Sequence, residues 1–520
     1  MQLEQFLERS AAAHPDKVAI ICGDRRLTYA DIESQCNRLA HGLIAEGVQR
    51  GDRVGVYLDN TVESVLSVWA ILKAGAVFMM VNPTTKSDKL SYVLNNSRAT
   101  ALILPRRKVN TLGDVWTETQ HLKSIVTVGV GPEPAADAAS DKAFVALDDL
   151  LIRHAADNQP PRKRCIDIDL AALIYTSGST GNPKGVMLTH LNMVSAATSI
   201  TTYLENRHDD IVLNVLPLSF DYGLYQVLMA FKFGGTVVLE RGFTYPHSVL
   251  ETVVRERVTG LPLVPTMLAI LLQMDLTKYD FTHLRYVTNT AAALPVEHIR
   301  QLRQLLPHVT IYSMYGLTEC KRVSYLPPDQ IDIRPASVGR GMPNEEVYVV
   351  DDQGRRLGAG EVGELVVRGA NVMKGYWELP AETDQRLKPG PLPNDMQLHT
   401  GDLFRADDEG YLYFVGRKDD IIKSRGEKVA PREVENVLCN HPAVAEAAVI
   451  GLPDLLLGQS IKAIVTLRPN ADVTERDLLR HCAANLEDFM VPQVVEIRES
   501  MPKTGNGKIN KRELAGVVES

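Results

Sequence analysis

The sequence predicts an α/β protein with a large N-terminal domain of stacked βαβ-type sheets and a small C-terminal α+β domain. Short apolar runs alternate with helical patterns over most of the chain, and a separate, compact pattern of strands and helices follows. The 520 residues also exceed the length of one ordinary domain. We place the boundary between 1–418 and 419–520, near the end of the segment YLYFVGRKDD.

The N-terminal elements follow from spacing and composition. Apolar residues at helical spacing, from Ile32 to Leu43, predict a helix within 26–50. GDRVGVYL then indicates a turn and a buried strand, and TVESVLSVWAILKAGA a helix that ends near Gly75. ALILP, SIVTVGV, IVLNVLP and GTVVLE are typical of buried strands, and 246–258 is helical. Strands that alternate with helices favour a parallel sheet covered on both faces.

Two further segments complete the prediction. Residues 131–163 are rich in Ala, Pro and Asp, and we interpret them as a surface loop between subdomains. In the C-terminal domain, AVAEAAVIGL and SIKAIVTL are typical of strands, and PREVENVLCN and TERDLLRHCAANL of helices, before a Gly-rich tail.

The composition excludes several classes of protein. A formal net charge of −8 argues against a dedicated nucleic-acid binder. Six cysteines without a C-x-x-C pair favour a reducing compartment and indicate neither a zinc site nor a disulfide framework. The N-terminus lacks a signal-peptide pattern, and Lys73 interrupts the apolar stretch SVLSVWAILKAGAVFMMV. We expect a cytoplasmic protein that binds neither nucleic acid nor a membrane.

Residues 175–190, YTSGSTGNPKGVMLTH, carry the strongest functional signal. Small residues expose consecutive backbone N–H groups, hydroxyls add donors, and Lys184 supplies a positive charge, so the loop can wrap a phosphate. It is not a Walker A loop, because Pro183 precedes the lysine and Gly185 follows it. The alternative, a flexible surface loop, is disfavoured by the strand-like AALIY before it.

This loop resembles the phosphate loop of the AMP-forming adenylating superfamily, which includes acyl-CoA synthetases, amino-acid adenylation enzymes and luciferases. Other motifs resemble that superfamily in the same order. They are LTYADI, LKAGAVFMMVNP, MYGLTE (314–319), GELVVRG (363–369), HTGDLFR (399–405), GRKDDIIKSRGEKVAPREVE (416–435) and PKTGNGKINK (502–511). The chain is most similar to stand-alone adenylation enzymes. The resemblance implies that a carboxylate attacks the α-phosphate of ATP, and that a thiol then takes the acyl group and releases AMP.

The resemblance also implies an ATP site with Mg²⁺. The implied contacts to the phosphates are Thr176, Ser177, Gly178, Ser179, Thr180, Gly181, Lys184 and Thr318. Tyr315, beside Gly316, is expected to stack on adenine, Asp402 to bind the ribose with Arg417 as its partner, Glu319 to ligate Mg²⁺, and Lys508 to approach the α-phosphate. Ser313 replaces the asparagine usual in the family, which leaves the contact to the adenine edge open. The alternatives are a solvated Glu319, a mobile surface Lys508, and Lys503 or Lys511 in its place.

Two half-reactions in one pocket imply a mobile C-terminal domain that rotates about a hinge. Asp419 falls where the family has that hinge. After rotation, SRGEKV around Gly426 would admit the pantetheine arm of the thiol, since glycine permits close approach.

The acid pocket is predicted from three segments. In LPLSFDYGLYQ, Phe220 and Asp221 resemble the amino-acid-activating branch, where the aspartate pairs with an ammonium; alternatively, Asp221 caps a helix. In TNTAAALP, Ala291 and Ala292 replace the pair of glycines usual in the family, so their methyl groups are expected to narrow the pocket and favour a small acid, and Thr290 is expected to bind the substrate. Lys321 and Arg322 either face the pocket, which would suit a second carboxylate, or are ordinary solvated cations.

These observations predict adenylation of a small carboxylic acid, preferably an amino acid, including a β-amino or dicarboxylic one. The acyl group would then pass to the phosphopantetheine thiol of a separate carrier protein, since the sequence contains no segment typical of a carrier. The alternative is an acyl-CoA synthetase for a short or medium acid, with coenzyme A as the acceptor. A nucleotide-binding regulator without catalysis is disfavoured by the presence together of Glu319, Asp402, Arg417 and Lys508. A luciferase-like oxygenase is also less favoured.

Overall fold

The computed structural model describes residues 1–132, 142–162, 165–176, 182–290, 294–418, 420–424, 427–454, 458–469, 471–504 and 508–516. Several predicted positions lie outside these ranges, and their roles stay predictions. They are Ser177, Gly178, Ser179, Thr180, Gly181, Ala291, Ala292, Asp419 and Gly426.

Threonine caps begin several helices. The hydroxyls of Thr28, Thr61, Thr189 and Thr474 each accept a hydrogen bond from the backbone N–H three residues on, which pairs a donor that the first turn leaves free. The helices of the described residues are α1 (Gln5–Ala13), α2 (Tyr29–Ala45), α3 (Val62–Lys73), α4 (Ser87–Asn96), α5 (Gly113–Glu118), α6 (Leu147–Arg153), α7 (His190–Tyr203), α8 (Asp221–Phe233), α9 (Pro246–Arg255), α10 (Pro265–Leu271), α11 (Val296–Leu305), α12 (Pro380–Arg386), α13 (Pro431–Cys439), α14 (Glu475–Asn485) and α15 (Lys511–Leu514).

The strands form four sheets. In chain order they are β1 (Val18–Cys22), β2 (Arg25–Thr28), β3 (Arg53–Val56), β4 (Val77–Met80), β5 (Ala99–Pro105), β6 (Ser124–Val128), β7 (Ala143–Ala146), β8 (Leu170–Thr176), β9 (Lys184–Thr189), β10 (Ile211–Asn214), β11 (Thr236–Leu239), β12 (Gly260–Leu263), β13 (Tyr286–Asn289), β14 (Thr310–Tyr315), β15 (Ser324–Tyr325), β16 (Arg340–Gly341), β17 (Glu345–Val350), β18 (Val362–Gly369), β19 (Gly375–Tyr376), β20 (Leu387–Pro389), β21 (Met396–Ala406), β22 (Leu412–Arg417), β23 (Ile422–Ser424), β24 (Glu427–Val429), β25 (Val444–Asp454), β26 (Gly458–Leu467) and β27 (Val494–Arg498).

Two large sheets build the N-terminal part. Their strand orders are β16-β15-β14-β13-β12-β10-β11-β1-β2 and β19-β9-β8-β4-β3-β5-β6-β7. The strands from β14 to β1 are parallel, as are those from β8 to β7, which confirms the βαβ-type prediction. At the edges, β2, β9, β15, β16 and β19 pair antiparallel, so the sheets are mixed rather than wholly parallel.

Two smaller sheets follow. The third has the order β17-β18-β21-β20, with β22 beside β21, and its pairs are antiparallel. The fourth, β24-β23-β26-β25 with β27 beside β26, lies in the C-terminal domain with α13 and α14. The predicted C-terminal strands and helices are confirmed as β25, β26, α13 and α14. The boundary at 418/419 stays a prediction.

The prediction that residues 131–163 form a surface loop is wrong in part. Its central part forms β7 and α6, and the side chains of Val145, Leu147 and Leu150 are buried. These apolar residues are few and lie between Ala-, Asp- and Pro-rich stretches, so the average composition of the segment concealed their spacing.

Helices of the N-terminal part share a core. The indole of Trp69 on α3 stacks on Phe231 of α8 with ring centroids 5.3 Å apart, and Tyr29 of α2 packs edge-on against the same ring. Across the described ranges, each helix is too short or too polar to span a bilayer. The carboxyl ends of β13 and β14 meet at one edge of the first sheet, where ligands bind in open α/β sheets.

Candidate active site

Asp402, the predicted ribose contact, lies on β21 directly opposite Arg417 of β22. The Nη1 atom of Arg417 lies 3.6 Å from Asp402 Oδ1, and the Tyr315 hydroxyl donates a hydrogen bond of 2.6 Å to Oδ2. Paired residues of antiparallel strands carry neighbouring side chains, which explains how the guanidinium reaches the carboxylate. The structure thus brings together three residues that the sequence assigned to the nucleotide.

The Asp402 carboxylate fits a nucleotide for a second reason. Its Oδ1 atom is buried and has no hydrogen-bond donor among the described residues. Burial raises the pKa of this carboxyl, against the opposing effects of Arg417 and the Tyr315 hydrogen bond. A buried acceptor without a donor is unfavourable, and a ribose hydroxyl is a suitable donor.

The Tyr315 ring is held by aromatic neighbours. Its centroid lies 4.8 Å from that of Phe404 with the rings at 66°, and 6.4 Å from that of Phe414. The next residue, Gly316, permits close packing, because a Cβ there would lie 2.5 Å from the carbonyl oxygen of Lys321. The expected stacking of Tyr315 on adenine stays a prediction, and its contact with Asp402 is an additional finding.

The predicted phosphate contacts lie around β9. Thr176 ends β8 and pairs directly with Lys184, the first residue of β9. Strand β19 pairs with the other side of β9 and carries Tyr376, whose ring centroid lies 5.7 Å from the Lys184 ammonium. The Tyr376 hydroxyl donates a hydrogen bond of 2.7 Å to Oε1 of Glu319, which follows the half-buried Thr318. Lys184 and Glu319 therefore flank one tyrosine.

Glu319 suits Mg²⁺ bound largely by substrate. The described residues contain no cluster of three or more His, Cys, Asp or Glu side chains that could hold a metal by themselves. Mg²⁺ commonly binds one or two carboxylates and completes its shell with waters and phosphates. A single carboxylate beside the phosphate lysine fits that donor set. When bound, the ion would neutralise charge on the phosphate oxygens.

Lys508, the predicted lysine of the C-terminal segment, is influenced by the carboxylates of this site. Burial of its ammonium among protein groups lowers its pKa, although the residue as a whole is exposed, and the charges of Asp221, Asp402 and Glu319 oppose that effect. All three carboxylates lie close enough to act on this one ammonium.

The alternative lysines are engaged within the C-terminal domain. Lys503 pairs with Glu446 at 2.9 Å and Lys511 with Glu435 at 2.6 Å. The structure therefore favours Lys508 over both.

Two residues predicted for the acid pocket lie at the start of α8. Phe220 occupies the N-cap position with a half-buried side chain and makes no side-chain cap, and Asp221 is the first helical residue. The alternative that Asp221 caps the helix is therefore wrong. Its carboxylate instead lies 3.7 Å from the Lys321 ammonium. Thr290 follows β13 and is buried.

Lys321 and Arg322 face inward. They are 4% and 1% exposed, so the alternative of ordinary solvated cations is wrong. The Lys321 ammonium lies 4.3 Å from the centroid of the Tyr225 ring, and the guanidinium carbon of Arg322 lies 5.3 Å from that of Tyr222. Burial lowers the pKa of Lys321 to about 7, although Asp221 opposes the change.

Two residues of the site were not predicted from the sequence. Tyr376 holds Glu319 from a strand that the motifs did not identify. Glu364, within GELVVRG, accepts a hydrogen bond of 2.9 Å from the Gly401 N–H and lies 3.5 Å from the Lys418 ammonium, so it holds the segment that carries Asp402. The motif GELVVRG could have indicated Glu364, but the spacing of residues along the chain does not indicate that Gly401 and Lys418 are its partners.

The chain matches known protein families and relatives over most of its length. Residues 7–377 match the family described as AMP-binding enzyme, and residues 433–508 match the AMP-binding enzyme C-terminal domain. A long-chain-fatty-acid–CoA ligase of Bacillus subtilis (strain 168) is 32% identical, with 98% of this chain and 94% of that protein covered. Tyrocidine synthase 1 of Brevibacillus parabrevis is 28% identical over 98% of this chain and 44% of its own length.

A solved structure shares the whole architecture. The anthranilate CoA ligase AuaEII, determined with anthranoyl-AMP, superposes with a TM-score of 0.90 at 28% identity, covering 99% of this chain and 97% of that one. The overall fold therefore agrees over nearly the whole length of both chains. The chain belongs to the AMP-binding enzyme family, within the AMP-forming adenylating superfamily, and is an AMP-forming acid–thiol ligase.

Proposed function

We propose that this enzyme adenylates a small carboxylic acid with ATP and then transfers the acyl group to a phosphopantetheine thiol. The observation that carries the proposal is the buried Oδ1 atom of Asp402, which has no hydrogen-bond donor among the described residues and lies beside Arg417 and Tyr315. A ribose hydroxyl would supply that donor. The charges of Asp402 and Asp221 both act on the Lys508 ammonium, and we infer that this lysine serves both the α-phosphate and the attacking carboxylate.

In the first step, a carboxylate oxygen of the acid attacks the α-phosphorus, and the bond to the β-phosphate oxygen breaks. Pyrophosphate leaves, so negative charge accumulates on phosphate oxygens, and preorganised cations lower the barrier. Lys508 serves the α-phosphate, and Lys184 with Thr176 serves the leaving phosphates. Glu319 would hold Mg²⁺, and Asp402 would fix the ribose.

In the second step, the thiol releases its proton to solvent and its sulfur attacks the acyl carbon. The bond from that carbon to the AMP oxygen breaks, and AMP leaves. The thiol needs access to the acyl carbonyl, which Lys508 would approach during the first step. Rotation of the C-terminal domain about a hinge at Asp419 would remove Lys508 and bring the segment around Gly426 to the site. This exchange follows the family resemblance and stays a proposal.

The acid is proposed to be small. A long alkyl chain fits poorly against Arg322, because hydrocarbon packed there leaves this buried guanidinium without a counter-ion. That the substrate is an amino acid stays a prediction, since such a substrate requires Asp221 to bind its ammonium group. In this structure Asp221 already has Lys321 as a partner, so a substrate ammonium would have to replace that lysine.

The acceptor is proposed as either coenzyme A or a carrier protein, since both present the same thiol arm. The Bacillus subtilis relative and AuaEII are both named as CoA ligases, which supports coenzyme A. Tyrocidine synthase 1 is a longer protein, of which this chain matches only a part, and its name specifies no acceptor.

Acid-dependent ATP–pyrophosphate exchange tests the proposal. The acids should include amino acids, β-amino acids, diacids, and short aliphatic and aryl acids, each with and without Mg²⁺. We expect exchange with at least one small acid and none without an acid. Thioester formation with coenzyme A or a phosphopantetheinylated carrier protein then identifies the acceptor. Exchange that prefers long-chain fatty acids would contradict the proposed size of the acid.

A further inference from the structure

The acid end contains two consecutive buried cations. Arg322 is 1% exposed and Lys321 is 4% exposed. A guanidinium stays protonated at every pH at which proteins fold, so burial cannot neutralise it. A buried ion is costly unless it is paired, and such ions therefore occur with counter-ions or ligands.

The described residues supply one paired carboxylate for these two cations. Asp221 lies 3.7 Å from the Lys321 ammonium. Arg322 forms no ion pair with a carboxylate in the described part of the chain, and its Nε has no hydrogen-bond partner there. Its guanidinium packs against the ring of Tyr222, which is a weaker substitute for a counter-ion.

A second buried carboxyl, Glu345, belongs to a different group of contacts. Its Oε2 atom accepts a hydrogen bond of 2.8 Å from the Asn371 amide, which also donates to the backbone carbonyls of Cys320 and Arg322. Glu345 and Asn371 thus fix the backbone of the segment that carries the cations. With Lys321 protonated, these two basic side chains carry one positive charge more than Asp221 balances.

The backbone at Lys321 adopts an unusual conformation. Lys321 has a φ of +63°, in the left-handed region, where a residue with a Cβ costs about 1 kcal/mol or more. Its carbonyl lies against Gly316, where a Cβ would come within 2.5 Å. Strained conformations persist only where the surrounding structure holds them in place, and such residues are concentrated at ligand sites.

We propose that the acid carries a second anionic group, a carboxylate or an equivalent oxyanion, that binds Arg322 and Lys321 at the end of the pocket away from the reacting carboxylate. This inference rests on the proposed adenylation function and specifies its substrate. An anion gives Arg322 a counter-ion and gives its Nε an acceptor. A substrate ammonium would compete with Lys321 for Asp221 and give Arg322 no counter-ion, and a neutral chain would also leave Arg322 unpaired.

The direct test is pyrophosphate exchange with acids matched in length. Malonic, succinic and glutaric acids are compared with propionic, butyric and valeric acids, and with β-alanine and γ-aminobutyric acid. Sulfopropionic and phosphonopropionic acids distinguish carboxylate from other oxyanions. We expect kcat/KM for the best oxyanion-bearing acid to exceed that of its neutral and amino counterparts by about 100-fold, as for a buried charged contact.

Variants assign the preference to the two cations. Arg322→Gln and Lys321→Gln are each expected to reduce the diacid-to-monoacid ratio of kcat/KM by about tenfold or more, while Arg322→Lys restores part of it. Arg300→Gln, on the exposed face of α11, is the matched control and should leave the ratio unchanged. The wild-type comparison needs no variant, so the test holds even if Arg322→Gln fails to fold.

The outcomes separate this inference from the proposed function. Preference for an oxyanion-bearing acid that Arg322→Gln or Lys321→Gln abolishes supports the subsite. Exchange that is equal or faster with monoacids or amino acids overturns the subsite while adenylation stands. A preference that survives both substitutions also overturns the assignment to these residues, and no exchange with any acid overturns both proposals.

Discussion

The Tyr376 hydroxyl donates a hydrogen bond of 2.7 Å to Oε1 of Glu319, and the same ring lies beside the ammonium of Lys184. Tyr376 therefore fixes the candidate metal ligand relative to the candidate phosphate lysine. Because β19 pairs with β9, this relationship depends on the second sheet rather than on the loop that carries Glu319.

The substitution Tyr376→Phe tests this positioning. The hydroxyl is lost but the ring remains, so Glu319 keeps its backbone position and loses its orientation. We expect the Mg²⁺ concentration for half-maximal pyrophosphate exchange to rise by about tenfold, as for other partners of metal ligands. Tyr348→Phe, which removes a hydroxyl that donates to Gln397 on the third sheet, is the control. An unchanged Mg²⁺ dependence in Tyr376→Phe would contradict the assigned role.

Asp402→Asn tests the ribose contact. The amide nearly matches the carboxylate in shape but removes its charge, so we expect KM for ATP to rise by about tenfold or more. Wild-type enzyme should also discriminate against ATP analogues that lack one ribose hydroxyl, because Oδ1 then has no donor. This discrimination should shrink in the variant. If both enzymes discriminate equally, Asp402 does not bind the ribose.

The ionised Glu364 carboxylate is expected to contribute to the free energy of unfolding in a pH-dependent way. Burial opposes its ionisation, but hydrogen bonds from His399 and the Gly401 N–H, with the charge of Lys418, lower its pKa to about 2 from 4.5. A lowered pKa means that the ionised carboxylate stabilises the fold above about pH 4.5, and that this stabilisation is lost as the pH falls towards about 2.

Glu364→Gln measures this contribution. We expect the variant to lose on the order of 1–2 kcal/mol of unfolding free energy near neutral pH, a value reduced for solvent screening. The difference from wild type should decrease as the pH falls below about 4.5. Urea unfolding at several pH values provides the measurement, with Asp408→Asn as an exposed carboxylate control. A difference that is constant with pH would contradict the ionic origin.

The pair of Asp402 and Arg417 illustrates what the sequence could predict. Each residue lies in one of the motifs that occur along the chain in the same order as in the superfamily. The register of β21 with β22 then places the two residues opposite each other. The strand and helix alternation likewise predicted the parallel centres of both large sheets. The fold class followed because these signals are local or are carried by the order of motifs.

Lys321 and Tyr376 illustrate what the sequence could not predict. Whether Lys321 is solvated or buried depends on a left-handed backbone angle and on the packing of Tyr225, which sequence spacing does not specify. Tyr376 reaches Glu319 through pairing with β9, a contact between distant parts of the chain. The helix α6 was missed because its two buried leucines lie within a polar segment.

The most direct test of the proposed adenylation mechanism is to measure the two half-reactions in Lys508→Ala, with Lys503→Ala as the matched control from the same segment. We expect Lys508→Ala to slow pyrophosphate exchange by about 100-fold or more, while transfer from a preformed acyl-adenylate to the thiol is largely retained. Lys503→Ala should retain both activities. Equal loss of both half-reactions in Lys508→Ala, or full exchange activity without this lysine, would contradict its assignment to the adenylation step.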